Sequence, residues 1–240
     1  MKLYEERYHL AQIEHTYRST EVFTEWLESK KFLGGGVNSI LDMACGVGAN
    51  MFYMANRHEN IQFVGMDINK EFVDHGNRIK EQHCQYKNCQ LCEGDWFHMD
   101  PKWIRAFDGI ISFQTVLMFP DYREALQKLA DLQPEWIAFS SLFYEGNIEY
   151  TNKFRDYYRP AEKEEYTEYY YNVHSIPLCR EYMKTLGYQN FEYKKFEIDI
   201  DIPKTDNMDI GTYTVKTTDG RRIQISAGLM MPWYFVVAYK

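Results

Sequence analysis

The chain has 240 residues, of which 45% are hydrophobic, and this composition suits one domain with a sizeable core. Its formal net charge is -8 and its sequence pI is about 5.4, and the sequence contains no lysine- and arginine-rich run. Because phosphate neutralisation dominates affinity for nucleic acids, this acidity argues against a nucleic-acid partner.

The N-terminal residues lack the apolar segment of a signal peptide, and no stretch approaches the roughly 18 apolar residues of a membrane span. We therefore expect a cytoplasmic protein without a membrane span, and the sequence leaves its oligomeric state open. Cys84, Cys89 and Cys92 have a spacing found in some iron–sulfur sites. Residues three apart on a strand face opposite sides, so Cys89 and Cys92 would not converge, and no metal site is predicted.

Two helices are predicted over residues 5–14 and 21–31, and they form an N-terminal cap over residues 1–35. The second has apolar residues at helical spacing, and Ser19 or Thr20 is expected to cap it. Three glycines at residues 34–36 then break the chain. No Gly-Lys-Ser/Thr follows them, so a P-loop is excluded.

An apolar run over residues 37–41 predicts a buried strand that leads into a glycine turn. A helix is predicted from residue 50 to residue 57. Strand, glycine turn and helix are the opening unit of a nucleotide-binding α/β fold, in which the backbone turns tightly against a ligand. Nicotinamide and flavin enzymes use G-x-G-x-x-G at this position, but Met51 stands where the third glycine would be.

The next two predicted strands each end in an acidic residue. The strand over residues 61–67 ends in Asp67, which is placed to accept both ribose hydroxyls of an adenosine. A helix over residues 70–83 follows. The third strand leads into Gly94-Asp95-Trp96. There a carboxylate can accept from an adenine amino group, and an aromatic ring can cover the base.

This series resembles the class I S-adenosylmethionine-dependent methyltransferases over roughly residues 37–145. The first motif of that family is acid-x-Gly-x-Gly-x-Gly, and the matching residues here are Asp42, Ala44, Gly46 and Gly48. Ala44 departs from the pattern, although alanine is the next smallest side chain. Asp67 and Asp95 match the family's two later acids. The resemblance implies S-adenosyl-L-methionine as cofactor and S-adenosyl-L-homocysteine as product.

The same resemblance assigns further residues to the cofactor. The N-terminal segment often lies over the methionine end, where Arg18 would hold the carboxylate and Tyr17 would add a hydroxyl. Ile68, directly after Asp67, is also expected to contact the cofactor. Gln114 directly follows the fourth strand (107–113), and we expect it to contact the cofactor. Many amino-group methylases of nucleic acids have Asn/Asp-Pro-Pro-Tyr/Phe at this place instead.

A helix over residues 121–131 and a fifth strand over 136–143 continue the alternation of strands and helices. This alternation predicts a mostly parallel sheet with helices on both faces. Ligands bind at the carboxyl ends of the strands in such sheets. The residues that fall at this edge are Asp42, Asp67, Asp95, Gln114, Tyr144 and Glu145. We therefore expect one shared site there.

Residues 146–175 interrupt the alternation and are rich in tyrosine, which suits a lid over a polar acceptor. Ser175 is expected to cap a helix that ends near residue 186. His174 would then lie near a helix N-terminus, which disfavours the imidazolium and suits a general base. A structural role for His174 is an equally good interpretation. Glu145 is the second candidate base, and Tyr144, Tyr171 and Asn172 are the candidate substrate-binding residues.

The C-terminal part, residues 176–240, adds β structure to that helix. Strands are predicted over residues 191–202 and 233–239, and Asp219-Gly220 between two β-branched runs predicts a hairpin over residues 212–226. The expected fold is a single α/β domain with a Rossmann-like seven-stranded sheet, helices on both faces, the N-terminal cap and this extra hairpin. Its segments are the cap, the core (36–145), the lid-like excursion (146–175) and the C-terminal part.

Residues 142–146, 171–174 and 231–235 resemble stretches of bacterial methyltransferases associated with surface-polysaccharide biosynthesis. That resemblance implies a small polar acceptor, a sugar or nucleotide-linked sugar. Two alternatives stay open: a non-catalytic cofactor-binding module of the same fold, and a protein or RNA methylase.

Overall fold

The computed structural model describes residues 11–157, 165–204, 211–226 and 228–240. Most of the helix predicted over residues 5–14 lies outside them, and residues 11–14 are helical. The described helices are α1 (Arg18–Ser29), α2 (Ala49–Arg57), α3 (Lys70–Gln82), α4 (Tyr122–Asp131) and α5 (Ile176–Thr185). The main-sheet strands are β1 (Ser39–Met43), β2 (Gln62–Asp67), β3 (Cys89–Glu93), β4 (Gly109–Phe113), β5 (Trp136–Tyr144), β8 (Val173–Ser175), β9 (Asn190–Lys195) and β13 (Trp233–Tyr239).

The remaining strands form two small sheets. They are β6 (Lys153–Asp156) and β7 (Thr167–Tyr170) in one, and β10 (Thr212–Lys216), β11 (Arg222–Ser226) and β12 (Leu229–Met230) in the other. The predicted hairpin therefore forms as β10–β11, and β12 adds a third strand to it.

The main sheet has the order β3-β2-β1-β4-β5-β13-β9. The first five strands of this path run parallel, and β13 is antiparallel to both β5 and β9. The expected seven-stranded arrangement is therefore present, with a reversed edge. An additional strand, β8, pairs in parallel with the end of β5 and raises the sheet to eight strands.

Helices cover both faces of the sheet, as the alternating pattern predicted. Phe23 of α1 and Phe52 of α2 lie in one hydrophobic cluster with Ile40 of β1. Leu126 of α4 and Met183 of α5 lie in the cluster on the other face. β1, β4 and β5 are buried on both faces, and their sequences are accordingly mostly apolar. This rigid layer fixes the positions of the residues that follow each strand.

The start of the first described helix differs from the prediction. The helix α1 begins at Arg18, and its N-cap is Tyr17, which makes no side-chain capping bond. Ser19 and Thr20 lie inside the helix. The Thr20 hydroxyl instead donates to Asn50 Oδ1 over 2.6 Å, so it ties α1 to the start of α2.

The strand predicted over residues 191–202 is also shorter than expected, because β9 ends at Lys195. Beyond it, Phe196 and Ile198 are buried in the core, and the backbone leaves the sheet. Ile202 then bonds to Thr214 of β10, with the Ile202 amide donating to the Thr214 hydroxyl over 2.8 Å. The alternating pattern therefore continues past the strand because Phe196 and Ile198 belong to the hydrophobic cluster that contains Phe235 of β13.

Candidate functional site

The glycine turn between β1 and α2 is held by the end of β2. Ala44, Gly46 and Gly48 all have positive φ angles, of 59°, 58° and 85°. The Gly46 amide donates to Asp67 Oδ2 over 2.8 Å, and the Asn69 amide donates to Asp67 Oδ1 over 2.9 Å. Each carboxylate oxygen keeps a further lone pair for a ligand. Asp67 therefore fixes the turn and can still accept from a ribose.

Asn69 belongs to this arrangement but was missed in the sequence. Its side chain also accepts from the Glu71 amide over 3.0 Å and so caps α3. The signal was present, because asparagine directly before a predicted helix is a preferred N-cap.

Asp42 lies beneath the same turn and is 1% exposed. Its Oδ2 atom has no hydrogen-bond partner among the residues that the structure describes. Burial, and to a lesser extent the nearby charge of Asp67, raises the pKa of Asp42 to about 8. The carboxyl group is therefore neutral at pH 7. A buried polar atom without a partner beside a glycine turn fits a site that a polar ligand completes.

A glycine in α3 lets this helix approach the turn. A Cβ atom at Gly76 would lie 2.6 Å from the Val47 carbonyl oxygen and 2.5 Å from Leu91 Cδ2. The backbone of the turn thus rests directly on the helix, and a side chain at residue 76 would displace it.

We expect Gly76→Ala to destabilise the protein by about 1–3 kcal/mol through overpacking, although alanine is the better helix former. Chemical denaturation measures this loss, and titration with S-adenosylhomocysteine measures the effect on the turn. Arg78→Ala, at an exposed position of the same helix, is the control and should change little. A more stable Gly76→Ala protein would contradict the close packing of helix and turn.

The adenine side of the site contains two of the predicted residues. Ile68 is 69% exposed directly after Asp67, so it offers an apolar surface to a ring. Asp95 accepts from the Phe97 amide over 2.9 Å, and its Oδ2 lies 2.6 Å from His98 Nδ1. These bonds hold the pKa of Asp95 below its usual range. His98 is a partner that was missed in the sequence.

The expectation that Trp96 covers an adenine ring is wrong for this structure. Trp96 is buried, and its indole N–H donates to the Ala125 carbonyl over 2.9 Å beneath α4. A buried indole takes such a partner because its N–H would otherwise lose its hydrogen bond. Phe97, which is half-buried beside Phe119, is the aromatic residue nearer the surface.

Arg18 is not free to hold a cofactor carboxylate, contrary to expectation. Its guanidinium donates to both carboxylate oxygens of Asp199, over 2.9 and 3.0 Å, and to Glu21 over 3.0 Å. These two acids raise the pKa of Arg18. The Thr20–Asn50 bond nevertheless places the first turn of α1 beside the glycine turn, and Tyr17 lies directly before it.

Gln114 lies at the carboxyl end of β4 in a left-handed conformation, with a φ angle of 53°. Its amide donates to the carbonyl and the hydroxyl oxygen of Ser140 on β5, over 3.1 and 3.0 Å. Such a conformation is uncommon outside glycine, and it turns the chain out of the sheet at this edge. The position agrees with a residue that faces a ligand.

His174 does not lie at the surface as a general base would. It is 4% exposed and packs between the rings of Tyr122 and Phe143, with centroid distances of 4.6 and 5.8 Å. Burial lowers the pKa of His174 to about 4. The imidazole is thus neutral, as expected, but burial is the cause that dominates, and the ring cannot reach an acceptor here.

Glu145 and Tyr144 lie directly at the end of β5. Glu145 is exposed and accepts a hydrogen bond from the Tyr234 hydroxyl over 3.0 Å. Tyr144 is 45% exposed, and its ring contacts that of Tyr150 edge-on. Glu145 therefore remains an accessible carboxylate near the expected site.

Asn172 is a structural residue, which corrects its assignment to the substrate. Its side chain accepts from the Asn152 amide over 3.0 Å and donates to the Phe119 carbonyl over 2.9 Å. Its own amide donates to the Leu117 carbonyl over 3.0 Å. These bonds fasten the excursion to the short helical turn Val116–Met118 after β4.

The β6–β7 hairpin carries an aromatic cluster made of Phe154, Tyr169 and Tyr171. Phe154 stacks on Tyr169 at 5.8 Å and meets Tyr171 edge-on at 5.7 Å. Because Tyr171 directly precedes Asn172, the cluster is joined to the carboxyl end of β4. The cluster therefore lies on that side of the carboxyl edge of the sheet.

No described helix is long and apolar enough to cross a membrane. Within the described ranges, no group of three or more histidine, cysteine or acidic side chains is arranged to hold a metal ion.

Residues 37–140 match the family model of a methyltransferase domain, which is less than half of the chain. No curated protein sequence matches the chain. The protein YcgJ from Bacillus subtilis is similar in structure, with a TM-score of 0.60 and 12% identity over 90% of this chain and 97% of that one. The N-terminal domain of EvdMO1 with SAH bound is also similar in structure, with a TM-score of 0.56 and 12% identity over 90% of this chain and 80% of that one.

A third similar structure is the methyltransferase domain of bacterial CtHen1, with a TM-score of 0.55 and 13% identity over 96% of this chain and 100% of that one. At such low identity these structures show a shared fold. Together with the domain match, they confirm the Rossmann-like methyltransferase fold. They also support the resemblance to class I methyltransferases.

Proposed function

We propose that the protein is a methyltransferase that transfers the methyl group of S-adenosyl-L-methionine to a small polar acceptor, a sugar or nucleotide-linked sugar. The observation that carries the proposal is the glycine turn locked by Asp67 at the carboxyl edge of the sheet. The methyltransferase-domain match covers this same part of the chain.

The cofactor supplies a methyl group already activated on a sulfonium, so the chain's own residues mainly bind and align. Asp67 accepts from the ribose, Ile68 packs against the adenine, and Asp95 accepts from its amino group. Gln114, where β4 ends, would contact the cofactor beside them. With a hydroxyl acceptor, Glu145 would take the proton that the hydroxyl loses when it is methylated.

The sugar acceptor is supported by the aromatic cluster of Phe154, Tyr169 and Tyr171. Aromatic rings offer an apolar face to the C–H groups of a sugar, and tyrosine adds a hydroxyl at its rim. The N-terminal domain of EvdMO1 has also been crystallised in the presence of SAH and D-fucose. The resemblance of residues 142–146, 171–174 and 231–235 to surface-polysaccharide methyltransferases points to the same class of acceptor.

The test is formation of S-adenosylhomocysteine with a panel of acceptors, nucleotide sugars first, then free sugars, a protein and an RNA. Turnover with a sugar supports the proposal. Turnover with the protein or the RNA alone would replace the sugar with a macromolecular acceptor.

With a sugar acceptor, we expect Tyr169→Ala to raise the acceptor KM by roughly 2–10-fold, from loss of about 0.5–1.5 kcal/mol of ring contact. The Kd for S-adenosylmethionine should not change. Tyr193→Ala removes an exposed tyrosine ring at the far edge of the sheet, on β9, and serves as the control. An unchanged KM would exclude the cluster from the acceptor site.

A non-catalytic cofactor-binding module is the second candidate. The observation that favours it concerns the two predicted bases: His174 is buried, and Glu145 already accepts a hydrogen bond from Tyr234. Cofactor binding without turnover on any acceptor, and without slow hydrolysis of the cofactor, would support this candidate instead.

A further inference from the structure

The buried Asp42 side chain has no role in the proposed reaction. It precedes the glycine turn and is almost fully buried, and within the described part of the chain one of its carboxyl oxygens has no hydrogen-bond partner. A charged carboxylate buried without a partner is far more costly than a neutral carboxylic acid. The unliganded protein therefore keeps this group protonated around neutral pH, in agreement with its raised pKa.

The described groups that interact electrostatically with Asp42 are Asp67, Cys45 and Cys89. Burial raises the pKa of both thiols, that of Cys89 to about 12, so both are neutral at pH 7. The negative charge of Asp67 disfavours a second negative charge on Asp42. None of these described groups is a cation, so a cationic ligand would supply the charge that stabilises an Asp42 carboxylate.

We propose that Asp42 loses its proton when S-adenosylmethionine binds, and that this carboxylate distinguishes the charged sulfonium cofactor from its neutral thioether product. The inference rests on the proposed function. The Asp42 O–H bond breaks, the proton passes to the solvent, and the remaining carboxylate balances the positive charge that the cofactor brings. After methyl transfer the sulfur is neutral, a proton returns from solvent to Asp42, and the product is held less tightly.

The experiment is calorimetric titration of the full chain at pH 7 in two buffers of different ionisation enthalpy. The difference in apparent enthalpy gives the number of protons released per ligand bound. We expect about one proton for S-adenosylmethionine and clearly less for S-adenosylhomocysteine. Asp42→Asn should abolish the release and weaken S-adenosylmethionine roughly tenfold more than S-adenosylhomocysteine.

The matched control is Asp131→Asn, which changes an exposed acid at the end of α4 and should leave the proton release as in the wild type. Infrared difference spectroscopy of the wild type provides a readout that does not depend on a variant that folds. The carbonyl band of a protonated carboxylic acid should disappear when S-adenosylmethionine is added, and carboxylate bands should replace it.

Binding of S-adenosylmethionine without proton release, or release that persists in Asp42→Asn, would overturn this inference and leave the proposed function standing. An infrared spectrum without a protonated carboxylic acid in the free protein would overturn it as well. If the folded protein binds neither S-adenosylmethionine nor S-adenosylhomocysteine, the proposed function fails, and this inference fails with it.

Discussion

Replacing Asp67 with alanine is expected to weaken S-adenosylmethionine and S-adenosylhomocysteine by about 1.5–3 kcal/mol, which is roughly 10–150-fold in Kd. The carboxylate is expected to accept from the ribose hydroxyls, and such charge-assisted bonds are stronger than neutral ones. The same substitution releases the Gly46 and Asn69 amides, so the turn loses the group that holds it. Calorimetric titration of wild type and variant measures the change.

The control for this substitution is Asp74→Ala on α3. Asp74 pairs with Lys70 over 2.7 Å, but both side chains are well exposed, so the pair contributes little. The Kd of this variant should stay close to that of the wild type. A folded Asp67→Ala protein with unchanged affinity would show that Asp67 only supports the turn and that the ribose lies elsewhere.

The second large effect concerns Asp42 and the pH dependence of stability. The unfolded chain gives up the Asp42 proton near the ordinary value of 3.8, whereas the folded protein keeps it up to about pH 8. Between these values the folded state binds more protons, so the free energy of unfolding falls as pH rises. Asp42→Asn removes this dependence. Between pH 4 and pH 8, the free energy of unfolding of the variant should therefore rise by about 2–5 kcal/mol relative to that of the wild type.

Chemical denaturation of wild type and Asp42→Asn across this pH range measures the effect. Other acids with lowered pKa values, such as Glu28 and Asp95, act in the opposite direction at acidic pH. Their contributions cancel in the difference between the two proteins. A difference in stability that does not vary with pH would mean that Asp42 is ionised in the folded protein.

The cofactor half of the site could be predicted because its signals are local in the sequence. Asp67 directly ends an apolar strand, and Gly48 directly precedes a helix, so their strands and turn could be located without knowledge of the tertiary fold. The parallel order of the strands then brings their ends together at one edge. Residues at strand ends therefore kept their expected positions.

The surroundings of Arg18, His174 and Asn172 could not be predicted in the same way, because their contacts are made between distant segments. Arg18 and Asp199 are 181 residues apart, and no pattern in either segment indicates the pair. His174 and Asn172 lie in a polar, tyrosine-rich stretch that suggests exposure. An additional strand, β8, draws this stretch into the main sheet and buries both side chains.

The strand β8 has a consequence for how acceptor preference could change within this fold. The excursion leaves β5 after Tyr144 and returns at Ser175, and these two residues are partners in the β5–β8 pairing. Both ends of the segment are thus anchored side by side, so its length can vary at a small loop-closure cost. Under the proposed function, a different segment at this position would change the acceptor without moving the glycine turn.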